Sequence, residues 1–183
     1  MKKWLWLSAV VIVLDQLTKY VAVTRLQEYQ SVSFLPLLDL TLMYNKGAAF
    51  SFLSAAGGWQ RWLFTLLALV ISVIIVVWLN RLHENEKLQA AGLALVLGGA
   101  LGNVIDRMFL GHVIDFLDFN YRADSCLPLF VTLRNAVVEC HWPAFNIADS
   151  AIFIGVALLI IDSLRGALKN KSAANENENQ TMR

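Results

Sequence analysis

The stretch "AFNIADSAIFIGVALLIID", residues 144–162, contains the clearest signal for the fold. After Asp149 it is almost wholly apolar up to Asp162, and apolar runs of this kind cross a bilayer as helices. Asp149 stands at the beginning of the run, and Asn146 lies one helical turn earlier. Because an ionisable side chain in a membrane helix is costly, its presence there indicates a function.

The composition indicates that part of this chain is surrounded by membrane lipid. Of the 183 residues, 57% are hydrophobic and 16% are charged, whereas a soluble domain has about 25% charged residues. The formal net charge of +1 leaves no basic surface for a nucleic-acid partner. The chain is long enough for one domain, and the composition favours a membrane enzyme or a transporter.

Three more apolar runs lie earlier in the chain than residues 144–162. Together the four runs predict four membrane spans. The expected spans are Trp4–Thr24, Trp59–Leu79, about Leu88–Ile105 and about Phe145–Ile161. Backbone polar groups in lipid must be bonded within their own segment, which makes each span a helix. The sequence therefore predicts an all-α membrane protein with four transmembrane helices and a small periplasmic β-sheet or loop region.

Basic residues predict the orientation of the spans. They cluster before the first span, in the short turn 80–87 and after the last span, and basic flanks are typical of the cytoplasmic side. Both termini are then cytoplasmic, and the long loops 25–58 and 106–144 are periplasmic. We expect one membrane domain over residues 1–169 and a disordered cytoplasmic tail over 170–183. A cleaved signal peptide at the N-terminus is disfavoured, because the first run contains Asp15 and lacks a small-residue cleavage site after it.

Two segments of the long loops favour strands. "LDLTLMY", residues 38–44, alternates apolar and polar side chains well enough for a short strand. "LFVTLRNAVV", residues 129–138, is rich in β-branched residues and predicts a hairpin that turns at Arg134 and Asn135. Cys126 and Cys140 lie near the two ends of this hairpin. Since the periplasm is oxidising, we expect a disulfide; two unpaired thiols are the alternative.

The predicted topology brings Asp115 and Asp149 to the same face of the membrane. Two adjacent carboxylates cannot both ionise cheaply, so such a pair holds one proton near neutrality. An aspartic protease uses this arrangement, with one carboxylate as the base for water and the other as the acid. Two alternatives stay open: Asp149 only caps its helix, or the carboxylates form the proton relay of a small proton-coupled transporter or channel subunit.

Other polar residues near this face have simpler interpretations. Asp106 and Arg107 fit a weak surface ion pair, and Asp15 and Lys19, spaced i to i+4, fit a pair that neutralises itself within a span. The spacing of His112 and Asp115 is too weak a signal for a metal site, and Ser150 lacks a recognisable partner for nucleophilic catalysis. No metal and no cofactor are expected.

Five short motifs in a fixed order resemble a known family. They are "VLDQLTKY" (13–20), "YNKGAAFSFL" (44–53), "GNVIDR" (102–107), "HVIDF" (112–116) and "FNIADSAI" (145–152). In this order among four spans, over about residues 4–165, the chain resembles the bacterial lipoprotein signal peptidase, signal peptidase II.

The resemblance implies a specific reaction. Members are aspartic endopeptidases of the bacterial inner membrane that remove the signal peptide from diacylglyceryl-modified prolipoproteins, cutting N-terminal to the lipidated cysteine. The implied partners are the prolipoprotein and membrane lipid, with the cyclic peptide globomycin as inhibitor. By this resemblance the catalytic pair falls on Asp115 and Asp149. The implied supporting residues are Asp15, Lys19, Asn45, Asn103, Arg107 and Asn146.

One segment departs from the family pattern. Residues 121–140 are longer than the link expected between "DFN" (118–120) and "HWPAFN" (141–146), and they contain both cysteines. We call this segment the insertion. It changes the expected shape of the cover over the site but leaves the two aspartates in place. Asp118 lies outside the matched motifs and is expected to be dispensable.

Overall fold

A computed structural model describes residues 2–47, 57–123, 125–134 and 138–181 of the chain. In these residues it contains four helices and one five-stranded sheet. The helices are α1 (Lys2–Arg25), α2 (Trp59–Arg81), α3 (Lys87–Phe109) and α4 (Ile147–Thr181), and the strands are β1 (Ser31–Leu35), β2 (Leu38–Asn45), β3 (Val113–Arg122), β4 (Val131–Arg134) and β5 (Val138–His141). Each helix contains a segment long and apolar enough to cross a membrane, which confirms the predicted fold class.

The C-terminal tail differs from the expectation. Residues 170–181 continue α4 as a helix instead of forming the predicted disordered tail, and the membrane-capable part of α4 ends at Leu168. Ala, Lys, Glu and Gln in this segment are good helix formers. Because they extend an existing helix, they avoid the cost of nucleating a new one.

Helix α3 lies between the other three helices and is the most buried of them. Its small residues allow this position. A Cβ at Gly92 would lie 2.8 Å from the carbonyl oxygen of Gly155 on α4, and a Cβ at Gly155 would lie 2.6 Å from the carbonyl oxygen of Gly92. The two backbones therefore meet at this point, as small residues permit between membrane helices.

Helix α1 packs against α3 and the sheet through one narrow stripe. Its buried residues Ser8, Val11, Asp15, Lys19 and Ala22 follow the helical spacing of three to four residues. The rest of α1 is largely exposed and apolar, as a lipid-facing surface requires. The stripe places two charged side chains in the protein interior, where each needs a partner.

The strands form one antiparallel sheet in the order β1-β2-β3-β5-β4. Strand β2 contains the predicted segment 38–44, and β4 pairs with β5 as the predicted hairpin requires. The predicted turn at Arg134 and Asn135 lies partly outside the described residues, as does most of the motif at 44–53. Strand β3 is the centre of the sheet and connects the β1-β2 pair to the insertion.

Cys126 and Cys140 form a disulfide across the insertion. Cys140 lies on β5 and is fully buried, while Cys126 precedes the hairpin. The bridge therefore ties the start of the insertion to the strand that leads back towards α4.

We expect the double substitution Cys126→Ser and Cys140→Ser to lower thermal stability and to leave the protein folded. A bridge that closes a loop of about 15 residues contributes about 3 kcal/mol in the chain-entropy model. Thermal unfolding of the purified protein in detergent measures the effect. Full alkylation of both thiols in unreduced, denatured wild-type protein would contradict the bridge itself.

Candidate active site

Asp115 is held at the start of β3, where it is 3% exposed. In the register of the sheet it stands opposite Met43 of β2, so Asn45 is its diagonal neighbour on the same face. The Asn45 side-chain amide donates a hydrogen bond of 3.0 Å to Asp115 Oδ2. The strand pairing thus brings together two residues that are 70 positions apart in the sequence.

Asp149 is held at the start of α4 by a reciprocal cap with Asn146. The backbone N–H of Asp149 donates to Asn146 Oδ1 at 2.9 Å, and the backbone N–H of Asn146 donates to Asp149 Oδ2 at 3.3 Å. This is a capping box, which satisfies N–H groups at the beginning of the helix. Asp149 therefore takes part in the cap of α4, as one interpretation of the sequence held, but Oδ1 of its carboxylate makes a further contact.

Two asparagines connect Asp149 to Asp115. Asn103 of α3 donates to Asp149 Oδ1 at 2.8 Å, and Asn146 donates to Asp115 Oδ1 at 2.8 Å. The Asn146 amide also donates to Asn103 Oδ1 at 3.1 Å. Asn103 and Asn146 are 5% and 0% exposed. The two carboxylates are consequently the ends of one buried hydrogen-bonded chain that no sequence motif specifies alone.

The two carboxylates also interact electrostatically. Burial, and then the repulsion of the Asp149 charge, raise the pKa of Asp115 from its ordinary 3.8 to about 7, while the bonds from Asn45 and Asn146 oppose the rise. Near neutrality Asp115 is therefore partly protonated. A buried pair of carboxylates that retains a proton at this pH can provide both an acid and a base.

We expect the stability of the folded protein to decrease as pH rises from about 4 to about 7, in part because of Asp115. In this range the folded state binds the Asp115 proton and the unfolded state does not, so raising pH favours unfolding. Each pKa unit corresponds to about 1.4 kcal/mol, and the contribution of this group is on the order of 4 kcal/mol.

Thermal unfolding in detergent between pH 4 and pH 8 measures this slope, and Asp115→Asn should make it shallower. Asp39→Asn is the matched control, since Asp39 is half-exposed on the neighbouring strand. An identical slope in Asp115→Asn and the wild type would contradict the assignment.

A second buried cluster lies beside the first. The Lys19 ammonium is 2.8 Å from Asp15 and 2.7 Å from Asp106, and all three residues are 2% exposed or less. Lys19 also donates to Asn103 Oδ1 at 3.0 Å. We call Asp15, Lys19 and Asp106 the charged triad. Asp15 and Lys19 pair within α1, as the spacing of four residues predicted. The pair is part of a larger network that also includes Asp106 and Asn103.

The charged triad fixes the backbone next to each carboxylate of the site. Asp106 Oδ2 accepts the backbone N–H of Ile114 at 3.1 Å, one residue before Asp115. Asp15 Oδ1 accepts the backbone N–H of Ala148 at 2.9 Å, one residue before Asp149. A displacement of the triad would therefore move both carboxylates.

The prediction of a surface ion pair between Asp106 and Arg107 is wrong. Asp106 is 2% exposed and binds Lys19. Consecutive residues of a helix point about 100° apart, so Asp106 faces the interior of the bundle while Arg107 points in another direction. The spacing of three residues between Asn103 and Asp106 would have indicated that both face the interior. Gln16 was also missed: its side-chain amide donates to Asp106 Oδ1 at 2.9 Å and to Asp15 Oδ2 at 3.2 Å.

Arg107 lies near the two carboxylates without touching them. Its charge interacts with those of Asp149 and Asp115, but no ion pair within 4.0 Å links these residues in the described part of the chain. The guanidinium is 3.5 Å from the Asn103 carbonyl oxygen and 5.8 Å from the centre of the Phe64 ring. Arg107 thus supplies positive charge at the edge of the site.

The expectation that Asp118 is dispensable rested on the motifs alone, and the structure gives it a role in the fold. Asp118 is 2% exposed and accepts a hydrogen bond from Thr41 at 3.0 Å. Because Asp118 lies on β3, three residues after Asp115, its substitution is a poor control for substitutions of the site. Asp39→Asn serves as the control instead.

Comparison with known proteins shows the family of this chain. The sequence profile of a family described as signal peptidase (SPase) II matches residues 7–165. A lipoprotein signal peptidase of Alteromonas mediterranea is 48% identical over 178 residues, which cover 97% of this chain and 88% of the relative. One from Pseudomonas aeruginosa is 47% identical over 93% of this chain and 92% of its own length. One from Burkholderia mallei is 51% identical over 88% and 87% respectively.

Two solved structures share the fold. Both are described as bacterial membrane enzymes studied by the in meso method, at 2.3 Å and 1.9 Å resolution. The first has a TM-score of 0.74 and 29% identity over 91% of this chain and 90% of its own. The second has a TM-score of 0.70 and 30% identity over 90% and 94%. With four membrane-capable helices and a profile match over most of its length, the chain belongs to the signal peptidase II family of membrane aspartic peptidases.

Proposed function

We propose that this enzyme cuts diacylglyceryl-modified prolipoproteins N-terminal to the lipidated cysteine, with Asp115 and Asp149 as the catalytic pair. The observation that carries the proposal is the buried chain of hydrogen bonds between the two carboxylates through Asn103 and Asn146. The raised pKa of Asp115, about 7, supports a shared proton at the pH of the periplasm. The family of relatives supports prolipoprotein as the substrate and gives no support to a transporter.

The mechanism follows from the different surroundings of the two carboxyl groups. Protonated Asp115 gives its proton to the oxygen of the scissile carbonyl, while ionised Asp149 takes a proton from water as the water attacks the carbonyl carbon. The C–N bond then breaks, and the proton held by Asp149 passes to the leaving amine. The carbonyl re-forms as the proton returns to Asp115, so the enzyme ends the cycle as it began.

The neighbouring polar residues orient the pair and the substrate. Asn45, Asn103 and Asn146 hold the carboxylates in fixed rotamers, and fixed geometry is a large part of a catalytic effect. Arg107 lacks a close carboxylate partner in the described part of the chain, so its N–H groups are suited to the peptide carbonyls of the substrate and to developing negative charge. Asp15 and Lys19 do not contact the substrate. Asp15 holds the backbone next to Asp149, and Lys19 holds the side chain of Asn103.

The surface of the helix bundle suits a substrate that arrives from lipid. Exposed Leu, Val, Ile and Phe side chains cover the outer faces of α1, α2 and α4. An apolar signal helix and the acyl chains on its cysteine would remain in the bilayer as they approach, while water reaches the carboxylates from the aqueous side. Membrane lipid is thus a partner of the enzyme as well as its solvent.

The proposed location is the bacterial inner membrane, with both termini cytoplasmic. The basic flanks of the spans support this orientation, which places the sheet, the loops 25–58 and 106–144 and the catalytic pair on the periplasmic side. The membrane domain is residues 1–169.

We expect cysteine labelling in intact cells to follow this topology. In a Cys126→Ser, Cys140→Ser background, Ser33→Cys should react with a membrane-impermeant thiol reagent, whereas Asn85→Cys and Ser172→Cys should react only after the cells are permeabilised. Ser33 is exposed on β1, and Asn85 lies in the turn between α2 and α3. Labelling of Asn85→Cys from outside would invert the orientation.

Incubation of the purified enzyme with a diacylglyceryl-modified prolipoprotein tests the reaction directly. Mass spectrometry should find a new N-terminus at the lipidated cysteine, and globomycin should block its formation. The matched control is the same prolipoprotein without the lipid. Equal cleavage of both substrates would overturn the requirement for lipid, and no cleavage of either would overturn the reaction.

A further inference from the structure

Asp118 and His141 form a hydrogen-bonded pair that the five motifs do not include. Asp118 lies on β3 and is 2% exposed; His141 is the last residue of β5, with a side chain 15% exposed. Nδ1 of His141 is 2.9 Å and 3.0 Å from the two carboxylate oxygens of Asp118. Thr41 of β2 donates to the same carboxylate at 3.0 Å. The pair thus joins three neighbouring strands of the sheet.

His141 begins the segment that returns from the insertion to α4. This segment, residues 141–146, runs along β3: the backbone N–H of Trp142 donates to Phe119 O at 2.7 Å, and Phe145 and Leu117 exchange backbone bonds of 3.0 Å and 2.8 Å. It ends at Asn146, which caps α4 and donates to Asp115. The return segment is therefore fixed at one end by His141 and at the other by the active-site asparagine.

The charges around the pair make it sensitive to loss of either partner. Glu139 of β5 lies 3.9 Å from Nε2 of His141, and Asp39 of β2 stands opposite Asp118 in the register. Nε2 forms no hydrogen bond within the described part of the chain. His141 is thus the close basic partner of a carboxylate that has other acidic groups near it, and removing the imidazole would leave that carboxylate buried with Thr41 as its remaining side-chain donor.

We propose that Asp118 and His141 are a positioning pair, which sets the strand of Asp115 and the start of the helix of Asp149 at their working separation. The pair also connects the insertion to the active site, because His141 directly follows the disulfide-bonded Cys140. The inference rests on the proposed catalytic role of Asp115 and Asp149. Neither member of the pair touches the two catalytic carboxylates in any hydrogen bond of the described residues, so both act through the backbone.

Loosening of the pair should affect the chemical step more than substrate binding. In the proposed function the acyl chains and the signal helix bind along the helices, away from β5. A displacement of about 1 Å between catalytic groups lowers a rate by about 100-fold. It would also alter the burial of Asp115 and its bond from Asn146, and so the pH at which the enzyme loses its proton.

The test compares His141→Ala, His141→Asn and Asp118→Asn with His83→Ala as the matched control. His83 also lies beside a carboxylate, that of Glu86 at 3.3 Å, but its side chain is 85% exposed in the turn between α2 and α3. We expect His141→Ala and Asp118→Asn to lower kcat about 10- to 100-fold with KM within about twofold, and to shift the pH profile of kcat. His141→Asn keeps an N–H donor near the place of Nδ1 and should recover part of the rate. His83→Ala should behave as wild type.

Two results would overturn the proposal. One is a wild-type kcat and pH profile in folded His141→Ala. The other is a loss of rate that only follows the loss of folded protein, with the pH profile unchanged and no recovery in His141→Asn, since this would indicate a purely structural pair. Failure of the proposed catalytic pair is distinguishable, because Asp115→Asn would then still cleave the prolipoprotein.

Discussion

Asparagine in place of either Asp115 or Asp149 is expected to abolish cleavage of the prolipoprotein and to leave the protein folded. An amide cannot take up or release a proton at these positions, and loss of general acid–base catalysis costs about 100- to 10,000-fold for each group. Because the two carboxylates act as a unit, the double substitution should be no worse than either single one. Cleavage rates by mass spectrometry, at saturating substrate, measure the effect.

The two substitutions should leave the fold nearly unchanged for different reasons. At position 149 an asparagine can keep its side-chain oxygen on the N–H of Asn146, so the cap of α4 survives and only the bond from Asn103 is lost. At position 115 the substitution removes a group whose raised pKa destabilises the folded state at neutral pH. Asp39→Asn, on the adjacent strand, is the control and should cleave at the wild-type rate. Near-normal cleavage by either active-site variant would refute the aspartic mechanism.

Lys19→Met is expected to cause the largest loss of stability among single substitutions of the charged triad. Lys19 is the basic member of a cluster in which it contacts Asp15 and Asp106, and its removal leaves two buried carboxylates without their counter-ion. Breaking a buried ion pair in this way costs about 3–5 kcal/mol. Cleavage should also fall, because the two carboxylates hold the backbone N–H groups next to Asp115 and Asp149.

Thermal unfolding in detergent, with cleavage measured well below the unfolding temperature, separates the two effects of Lys19→Met. Lys87→Met is the matched control, since Lys87 is exposed at the start of α3. Adding Asp15→Asn and Asp106→Asn to Lys19→Met should restore part of the stability, because the uncompensated charges are then gone. A wild-type unfolding temperature in Lys19→Met would show that the triad does not stabilise the fold.

Much of the fold could be predicted from local patterns. The four helices follow from apolar runs that depend only on neighbouring residues, and α2 begins at Trp59 as the sequence predicted. Strand β2 follows from the alternation at residues 38–44. The helical continuation of α4 to Thr181 was not predicted. The polar composition of this segment favours disorder by itself, but an existing helix can be extended without a new nucleation step.

The candidate site could be predicted in its residues but not in its connections. Local patterns alone indicate that Asp149 lies at the start of a membrane-capable segment, where an ionised carboxylate is costly. They also place Asp115 in the loop on the same face of the membrane. Three contacts depend on the packing of distant segments: Asn146 bonds to Asp115, Asp106 pairs with Lys19 instead of Arg107, and Asp118 bonds to His141. These contacts join different helices and strands, and sequence spacing carries no information about such distances. They arise because each buried charge must find a partner on whichever element the packing of α3 and the register of β3 bring within reach.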